Sequence, residues 1–107
     1  MRRGDLVTIA LQGAYGKPRP ALVIQSDFFD EHPSVTILPI SSELRDAPLF
    51  RVAIKPSADN GLQKLSEVMI DKAQSVPRDK IGAIFGHASA EDMLTVSRSL
   101  AVFLGVI

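Results

Sequence analysis

The most constraining feature of this sequence is a series of apolar runs, each only five or six residues long, separated by turn-forming residues. Runs of about 4–8 residues are typical of β-strands, whereas an amphipathic helix needs about ten or more. Strands and helices do not alternate along the chain, so a doubly wound α/β fold is not expected. The predicted strands are Leu6–Leu11, Ala21–Gln25, Val35–Ile40, Phe50–Ile54, Val68–Ala73 and Ile81–Phe85.

Helical spacing is found only near the end of the chain. Ser89 is a predicted N-cap, and Asp92, three residues later, completes a capping-box pattern. The apolar face of this helix comprises Met93, Val96, Leu100, Phe103 and Leu104. The whole pattern predicts a small β-barrel or twisted sheet with a helix packed on it. The apolar tip, Val102–Ile107, is also a candidate dimer contact.

Turn signals divide the strands. Two Gly and two Pro predict a loop over Gln12–Pro20, and Asn60-Gly61 predicts a turn within the loop Lys55–Lys64. Pro39 lies inside the third strand and, because proline lacks an N–H, predicts a sheet edge or a bulge there.

Length and composition narrow the function classes. A chain of 107 residues suits one domain, residues 1–107. It has no Cys, which excludes disulfides, thiol nucleophiles and Cys-ligated zinc. Twelve Lys and Arg balance twelve Asp and Glu, which argues against broad, non-specific binding of nucleic acid. We recognise no leader peptide or spanning segment, so a cytoplasmic location is expected.

Standard catalytic and nucleotide-binding motifs are absent from the sequence. There is no glycine-rich phosphate loop. His32 and His87 have no companion residues at metal-ligand or triad spacing, and both are predicted to be exposed loop residues.

Four segments, in order, resemble the MazF/PemK (Kid) family of type II toxin–antitoxin toxins. An opening Arg3-Gly4-Asp5 precedes the first strand, and Gly16–Asp27 contains the pattern Arg-Pro-Ala-Leu-Val-Ile-Gln-Ser-Asp. Leu38–Ser42 resembles an apolar strand that ends in a hydroxyl pair, and Ser66–Val76 resembles a strand that carries an acid. A single such motif is weak, but the ordered set spans the chain and is fairly specific.

The resemblance implies a fold, an activity and partners. The fold is mainly β, an SH3-like barrel of the CcdB/MazF plasmid-maintenance type with a C-terminal helix. The activity is sequence-selective cleavage of single-stranded RNA without metal or cofactor, in which the ribose 2′-OH attacks the phosphate and leaves a 2′,3′-cyclic phosphate. The implied partners are RNA, a small acidic antitoxin and a second copy of the chain.

The resemblance also implies three catalytic residues, Arg19, Ser41 and Asp71. The guanidinium of Arg19 can stabilise the phosphate, and a proline on each side of it limits its backbone. Ser41 keeps the hydroxyl of the family's threonine. Asp71 is the candidate base, and strand alternation predicts that it shares a face with Met69 and Ala73. By residue type alone, the more common interpretation of Arg19 is a solvent-facing loop charge, that of Ser41 a turn residue at a strand end, and that of Asp71 an outward-facing charge on an edge strand.

Four further residues are implied RNA contacts: Lys17, Ser42, Phe50 and Lys72. The lysines can hold phosphates, and an exposed Phe50 can stack on a base, although a core position for this ring is equally compatible with the sequence. Some family members have an Arg two residues before the acid, where this chain has Met69. The general acid of the reaction therefore stays unassigned.

Two alternative functions fit the same fold. CcdB-like gyrase poisons resemble this chain over Val68–Pro77, but their C-terminal Trp is missing because the chain has no Trp. A binding domain without catalytic activity is the other alternative, since fold alone does not decide function.

Overall fold

A computed structural model describes residues 1–10 and 17–107 of the chain. Residues 12–16 of the predicted first loop, and Leu11 of the predicted first strand, lie outside the described residues. The strands are β1 Asp5–Ile9, β2 Arg19–Val23, β3 Ser34–Ser41, β4 Arg51–Ile54, β5 Ser66–Met69, β6 Gln74–Pro77 and β7 Ile81–His87, and the helix is α1 Ala90–Leu104.

The seven strands form one antiparallel sheet with the order β4-β5-β3-β2-β1-β7, and β6 also pairs with β3. The predicted class, a mainly β fold with a C-terminal helix, is confirmed. Among the described residues no ladder joins β4 to β7, so the barrel is not closed by hydrogen bonds. The sequence predicted five or six strands, and β6 is the additional one.

The fifth predicted strand, Val68–Ala73, is wrong as a single element. The chain leaves β5 at Met69, makes a 3₁₀ turn over Ile70–Lys72 and re-enters the sheet as β6. Both strands pair with β3, β6 along Ser34–Ile37 and β5 along Ile40–Ser41. A single straight strand could not pair with β3 in both registers, so the chain turns between them.

Pro39 lies at the point in β3 where the pairing changes from β6 to β5. The sequence predicted an edge or a bulge here, but β3 lies between β2 on one side and β5 and β6 on the other, so the edge prediction is wrong. Pro39 is buried and lies between the stretch of β3 that pairs with β6 and the stretch that pairs with β5. Its missing N–H therefore falls in the gap between two ladders, where no partner strand needs it.

The sheet buries apolar side chains on both faces, because residues that alternate along a strand point in opposite directions. One cluster, which α1 covers, includes Leu6, Leu22, Leu38, Ile40, Val52, Ile54, Val68, Ile70, Met93 and Val96. The other comprises Val7, Ile9, Ala21, Val23, Val35, Ile37 and Val76. Arg19 and Ser41 lie on the same face of the sheet as this second cluster, at one end of β2 and β3, but they are not part of the cluster.

The Arg3-Gly4-Asp5 opening has a structural role. The buried carboxylate of Asp5 accepts the N–H of Arg2 and lies 2.8 Å from the Nδ1 atom of His87. Arg3 donates to the carbonyl of Ile24 and to the hydroxyl of Ser97. The motif thus ties β1 to β7 and α1, and His87 belongs to a strand rather than to the predicted loop.

The predicted turn at Asn60-Gly61 packs against β7. Asn60 is buried, its side-chain oxygen accepts the N–H groups of Ser57 and Leu62, and Gly61 has a positive φ of 71°. Gly86 of β7 is so close that a Cβ atom there would lie 2.0 Å from the carbonyl oxygen of Asn60. Glycine at this position allows the long loop to lie on the sheet.

Helix α1 begins as predicted, with the hydroxyl of Ser89 accepting the N–H of Asp92 at 3.0 Å. Met93 and Val96 are buried, but Phe103 and Leu104 of the predicted apolar face are half exposed. Val106 and Ile107 beyond the helix are also exposed. Within residues 1–10 and 17–107, α1 and the other helices are too short or too polar to cross a bilayer.

Candidate active site

Arg19 and Ser41 lie at the same end of two neighbouring strands. Ala21 of β2 pairs with Pro39 of β3, and continuing this register by two residues brings Arg19 opposite Ser41. The predicted loop boundary at Pro20 is therefore wrong, because Arg19 already belongs to β2. The two side chains line one cleft, whose walls are Arg19, Pro20, Ile40, Ser41, Ser42, Glu43 and Ser66.

The Ser41 hydroxyl is oriented by the chain that follows it. Its Oγ atom accepts the backbone N–H of Glu43 at 3.0 Å, and the residue is half-buried at the end of β3. Because a hydroxyl has one proton to donate, this bond leaves that proton available for a ligand in the cleft. Arg19 is exposed and Ser42 is exposed beside it, so the cleft offers an arginine and two hydroxyls to an anion.

Asp71 is placed differently from the sequence prediction. It lies in the 3₁₀ turn, so the expectation that strand alternation puts it on one face with Met69 and Ala73 is wrong. Its Oδ2 atom is 3.8 Å from the Nζ atom of Lys72. Its Oδ1 atom is buried and has no hydrogen-bond partner among the described residues. Asp71 does not appear among the described residues that line the Arg19 cleft.

The remaining predicted RNA contacts form a second group. Phe50, which is 38% exposed, lies beside the 3₁₀ turn because its carbonyl accepts the N–H of Ile70. Lys72 is in that turn and is largely exposed. The structure thus brings Arg19, Ser41 and Ser42 together, and separately Phe50, Asp71 and Lys72. Lys17 is exposed two residues before β2.

Between the two groups lies an ion pair that the sequence analysis did not single out. Arg51 Nη1 is 3.2 Å from Glu67 Oε1, and both side chains are about nine-tenths buried. Glu67 is the cross-strand partner of Ser41, so the two side chains point to the same face of the sheet. The carboxylate also accepts the backbone N–H of Arg45 at 2.9 Å.

These donors set the charge state of Glu67. The backbone N–H of Arg45 is the largest influence and lowers the pKa of Glu67 below its usual value. Burial acts in the opposite direction, and the guanidinium of Arg51 lowers the pKa further. The result is a buried carboxylate that stays ionised.

A signal for this pair is present in the sequence. Arg51 and Glu67 each occupy the position of an alternating strand that is opposite to the core-facing Val52 and Val68. Opposite charges on one face of two strands attract only if the strands are neighbours in the right register. That register, in which Ala53 pairs with Glu67, is known only from the folded structure.

Comparison with protein families places residues 2–104 in a family described as a PemK-like, MazF-like toxin of type II toxin–antitoxin systems. The chain is also 48% identical, over 107 residues, to the "Probable endoribonuclease MazF" of Mycolicibacterium smegmatis. That match covers 99% of this chain and 98% of the relative.

Solved structures resemble the fold. An endoribonuclease in complex with its cognate antitoxin, from a mycobacterial species, has a TM-score of 0.85 at 23% identity and covers 100% of this chain and 97% of its own. The Mycobacterium tuberculosis toxin MazF-mt6 has a TM-score of 0.80 at 24% identity, with coverages of 94% and 96%. A MazE–MazF structure from Deinococcus radiodurans has a TM-score of 0.79 at 22% identity, with coverages of 98% and 95%.

The solved structures are less than 25% identical to this chain and therefore show only that the fold is shared. The family match and the M. smegmatis relative are matches of sequence over nearly the whole chain, and these show the family. The family that the four ordered motifs predicted is therefore confirmed. The chain belongs to the PemK-like, MazF-like toxin family of type II toxin–antitoxin systems.

Proposed function

We propose that this chain is the endoribonuclease toxin of a toxin–antitoxin pair, and that it cuts single-stranded RNA in the cleft between β2 and β3. The observation that carries the proposal is the meeting of Arg19 and Ser41 in one cleft, within a chain 48% identical to a probable endoribonuclease. An arginine beside hydroxyl donors suits a phosphodiester, because guanidinium and phosphate form forked hydrogen bonds.

The proposed reaction needs no metal, cofactor or water. The ribose 2′-oxygen attacks the adjacent phosphorus, the bond from phosphorus to the 5′-oxygen breaks, and the products are a 2′,3′-cyclic phosphate and a 5′-hydroxyl. Negative charge grows on the phosphate oxygens in the transition state, where Arg19 stabilises it. The Ser41 hydroxyl donates a hydrogen bond to a phosphate oxygen and keeps its proton, since its Oγ atom already accepts the N–H of Glu43.

Two proton transfers complete the reaction. A base must take the proton of the 2′-hydroxyl, and an acid must give one to the leaving 5′-oxygen. We propose Asp71 as the base because the family pattern implies that role, although Asp71 lies in the 3₁₀ turn and not among the described residues that line the cleft. Lys17, Ser42, Phe50 and Lys72 are proposed RNA contacts, with the lysines on phosphates and Phe50 stacked on a base.

The proposed setting is the cytoplasm, where the chain forms a homodimer that a small acidic antitoxin neutralises. The M. tuberculosis neighbour is a toxin, one mycobacterial neighbour is an endoribonuclease in complex with its cognate antitoxin, and the D. radiodurans neighbour is a MazE–MazF structure. An acidic antitoxin would be attracted to Arg19 and to the exposed Lys17 and Lys72. The exposed apolar tip of this chain, Val102–Ile107, is the surface that we propose for the dimer.

The test is an RNA cleavage assay in EDTA with the purified protein and its Arg19→Ala, Ser41→Ala and Asp71→Asn variants. Wild type should cut single-stranded RNA and leave cyclic phosphate ends. Loss of Arg19 should lower the rate at least about 100-fold, the effect of removing one stabiliser of transition-state charge. Intact RNA with wild type would refute the proposal, and gyrase-dependent DNA breakage would favour the alternative toxin class.

If Asp71→Asn cuts RNA as fast as wild type, Asp71 is not the base. The proposal that the chain is a ribonuclease would be unaffected by that result. A Glu91→Gln variant serves as the matched control, since it neutralises an exposed carboxylate on α1.

A further inference from the structure

We propose that Arg51 and Glu67 act as a positioning clamp, which holds the loop after β3 and through that loop orients the hydroxyl of Ser41. The proposal rests on the proposed ribonuclease function, because it gives the pair a role in that reaction. Both side chains are about nine-tenths buried and neither is among the described residues that line the cleft, so both are assigned as positioning residues.

The clamp holds the loop by both of its charges. The Glu67 carboxylate accepts the backbone N–H of Arg45, while Arg51 Nη1 donates to the backbone carbonyl of Glu43 at 3.0 Å. The same nitrogen donates to Glu67 Oε1, so one connected network joins β4, β5 and the loop. A carboxylate alone could not bind the carbonyl, and a guanidinium alone could not bind the N–H.

The clamped loop is the segment that contacts Ser41. The carbonyl of Glu43 is held by Arg51, and the N–H of the same residue donates to Ser41 Oγ at 3.0 Å. Both peptide groups of Glu43 are therefore fixed, one by the clamp and one by the proposed catalytic hydroxyl. If the loop moves, the hydroxyl loses the bond that directs its proton into the cleft.

The loop would not hold this shape by itself. Asp46 adopts a left-handed φ of 52°, which is uncommon for a residue other than glycine. Most of the loop side chains are exposed, and the ion pair within the loop, between Glu43 and Arg45, lies on the surface. Exposed pairs of this kind contribute little to order. The buried pair, by contrast, is screened from solvent and is anchored on two strands.

Stability alone does not explain why the Arg51–Glu67 ion pair is buried. Burying two charges removes their hydration, and a well-packed apolar pair is often as stable. Arg51 has, in addition, a buried Nε atom with no hydrogen-bond partner among the described residues. A pair retained at that cost, next to Ser41, is consistent with a role in placing the cleft.

The experiment is a double-mutant cycle between Glu67→Gln and Ser41→Ala, measured as kcat and KM for a single-stranded RNA. Glu67→Gln keeps the size and an acceptor oxygen but removes the charge. We expect it to lower kcat about 10- to 100-fold with little change in KM, because a small displacement of a reacting group has such effects. In the Ser41→Ala background, the same substitution should have almost no further effect.

A second variant and a control protect the test against loss of folding. Arg51→Lys keeps the charge beside Glu67 but loses the forked donor that reaches the Glu43 carbonyl, and it should reproduce the loss of kcat. Glu91→Gln makes the same chemical change on the exposed surface and should leave kcat unchanged. Thermal unfolding of each variant shows that the assays are done on folded protein.

The outcomes decide between the two proposals. If Glu67→Gln lowers kcat equally in the wild-type and Ser41→Ala backgrounds, or changes only KM, the clamp is overturned while the ribonuclease stays intact. If wild type does not cut RNA, the proposed function fails, and amide hydrogen exchange of Glu43 and Arg45 then tests the clamp directly. Exchange that is no faster in Glu67→Gln than in wild type would overturn it.

Discussion

The charge on Glu67 is maintained by its neighbours rather than by water. Its carboxylate is buried yet surrounded by the Arg45 N–H and the Arg51 guanidinium, and these donors lower its pKa. A group whose pKa is lower in the folded protein contributes stability above its ordinary pKa. That contribution is lost as the pH falls through the lowered pKa, where the carboxylate takes up a proton.

The linkage predicts a specific acid dependence. The free energy of unfolding of wild type should exceed that of Glu67→Gln at neutral pH, and this difference should shrink on acidification below the ordinary pKa of glutamate. Denaturant unfolding of both proteins across that range measures the difference, while the other carboxylates, common to both proteins, largely cancel. A difference that stays constant with pH would contradict the assignment of the charge to Glu67.

For Asp71, the residue type predicts the environment of the side chain but not its direction. A carboxylate among Val68, Met69 and Ile70 predicts an unusual environment, and the buried Oδ1 atom, which has no hydrogen-bond partner among the described residues, agrees with that. The prediction of its direction was wrong, because it assumed a strand where the chain forms a 3₁₀ turn. The local sequence is rich in β-formers on both sides, and only the two ladders with β3 reveal the break.

At the scale of elements, most strands and the helix follow from local patterns. β3 and α1 match their predictions closely, because an apolar run bounded by turn residues and a capped amphipathic segment are strong local signals. β6 was not predicted, since Gln74–Pro77 has few apolar residues and ends in proline. β6 forms because its backbone pairs with residues 34–37 of β3.

The cap of α1 gives a quantitative prediction at this scale. Replacing Ser89 by Ala removes the acceptor of the Asp92 N–H and should lower the free energy of unfolding by about 1 kcal/mol. Thermal or denaturant unfolding measures this loss. Ser99→Ala, in the middle of the helix, is the matched control and should be neutral or slightly stabilising, because Ala has the higher helix propensity. An equal loss in both variants would mean that the cap contributes nothing specific.

At the scale of the whole molecule, one continuous group of exposed apolar residues lies at the end of α1 and just beyond it, while others, such as Phe28 and Leu49, are exposed elsewhere in the molecule. Val102, Phe103, Leu104, Val106 and Ile107 are each at least 50% exposed. A patch of this kind is typical of an interaction surface, since water solvates it poorly. It is therefore the surface at which we expect a second copy of the chain to bind.

A charge introduced into the apolar tip of the chain tests the predicted dimer. Phe103→Glu should convert a dimer into a monomer of 11.6 kDa, because a carboxylate in an apolar interface loses its hydration without gaining a partner. Sedimentation equilibrium measures the mass, and Arg98→Gln, which also lowers the net charge by one at an exposed residue of α1, is the charge-matched control. A monomeric wild type, or a dimeric Phe103→Glu, would show that this surface has another use.

Local patterns in the sequence are enough to predict the family, the mainly β class, the terminal helix and the three residues proposed for catalysis, Arg19, Ser41 and Asp71. These properties depend on local patterns, which are present whether or not the chain is folded. Which residues come into contact is known only from the folded chain: Arg19 lies with Ser41 in one cleft, and Arg51 pairs with Glu67 beside it. Strand register makes those contacts, and register depends on pairing between segments that lie far apart in the sequence.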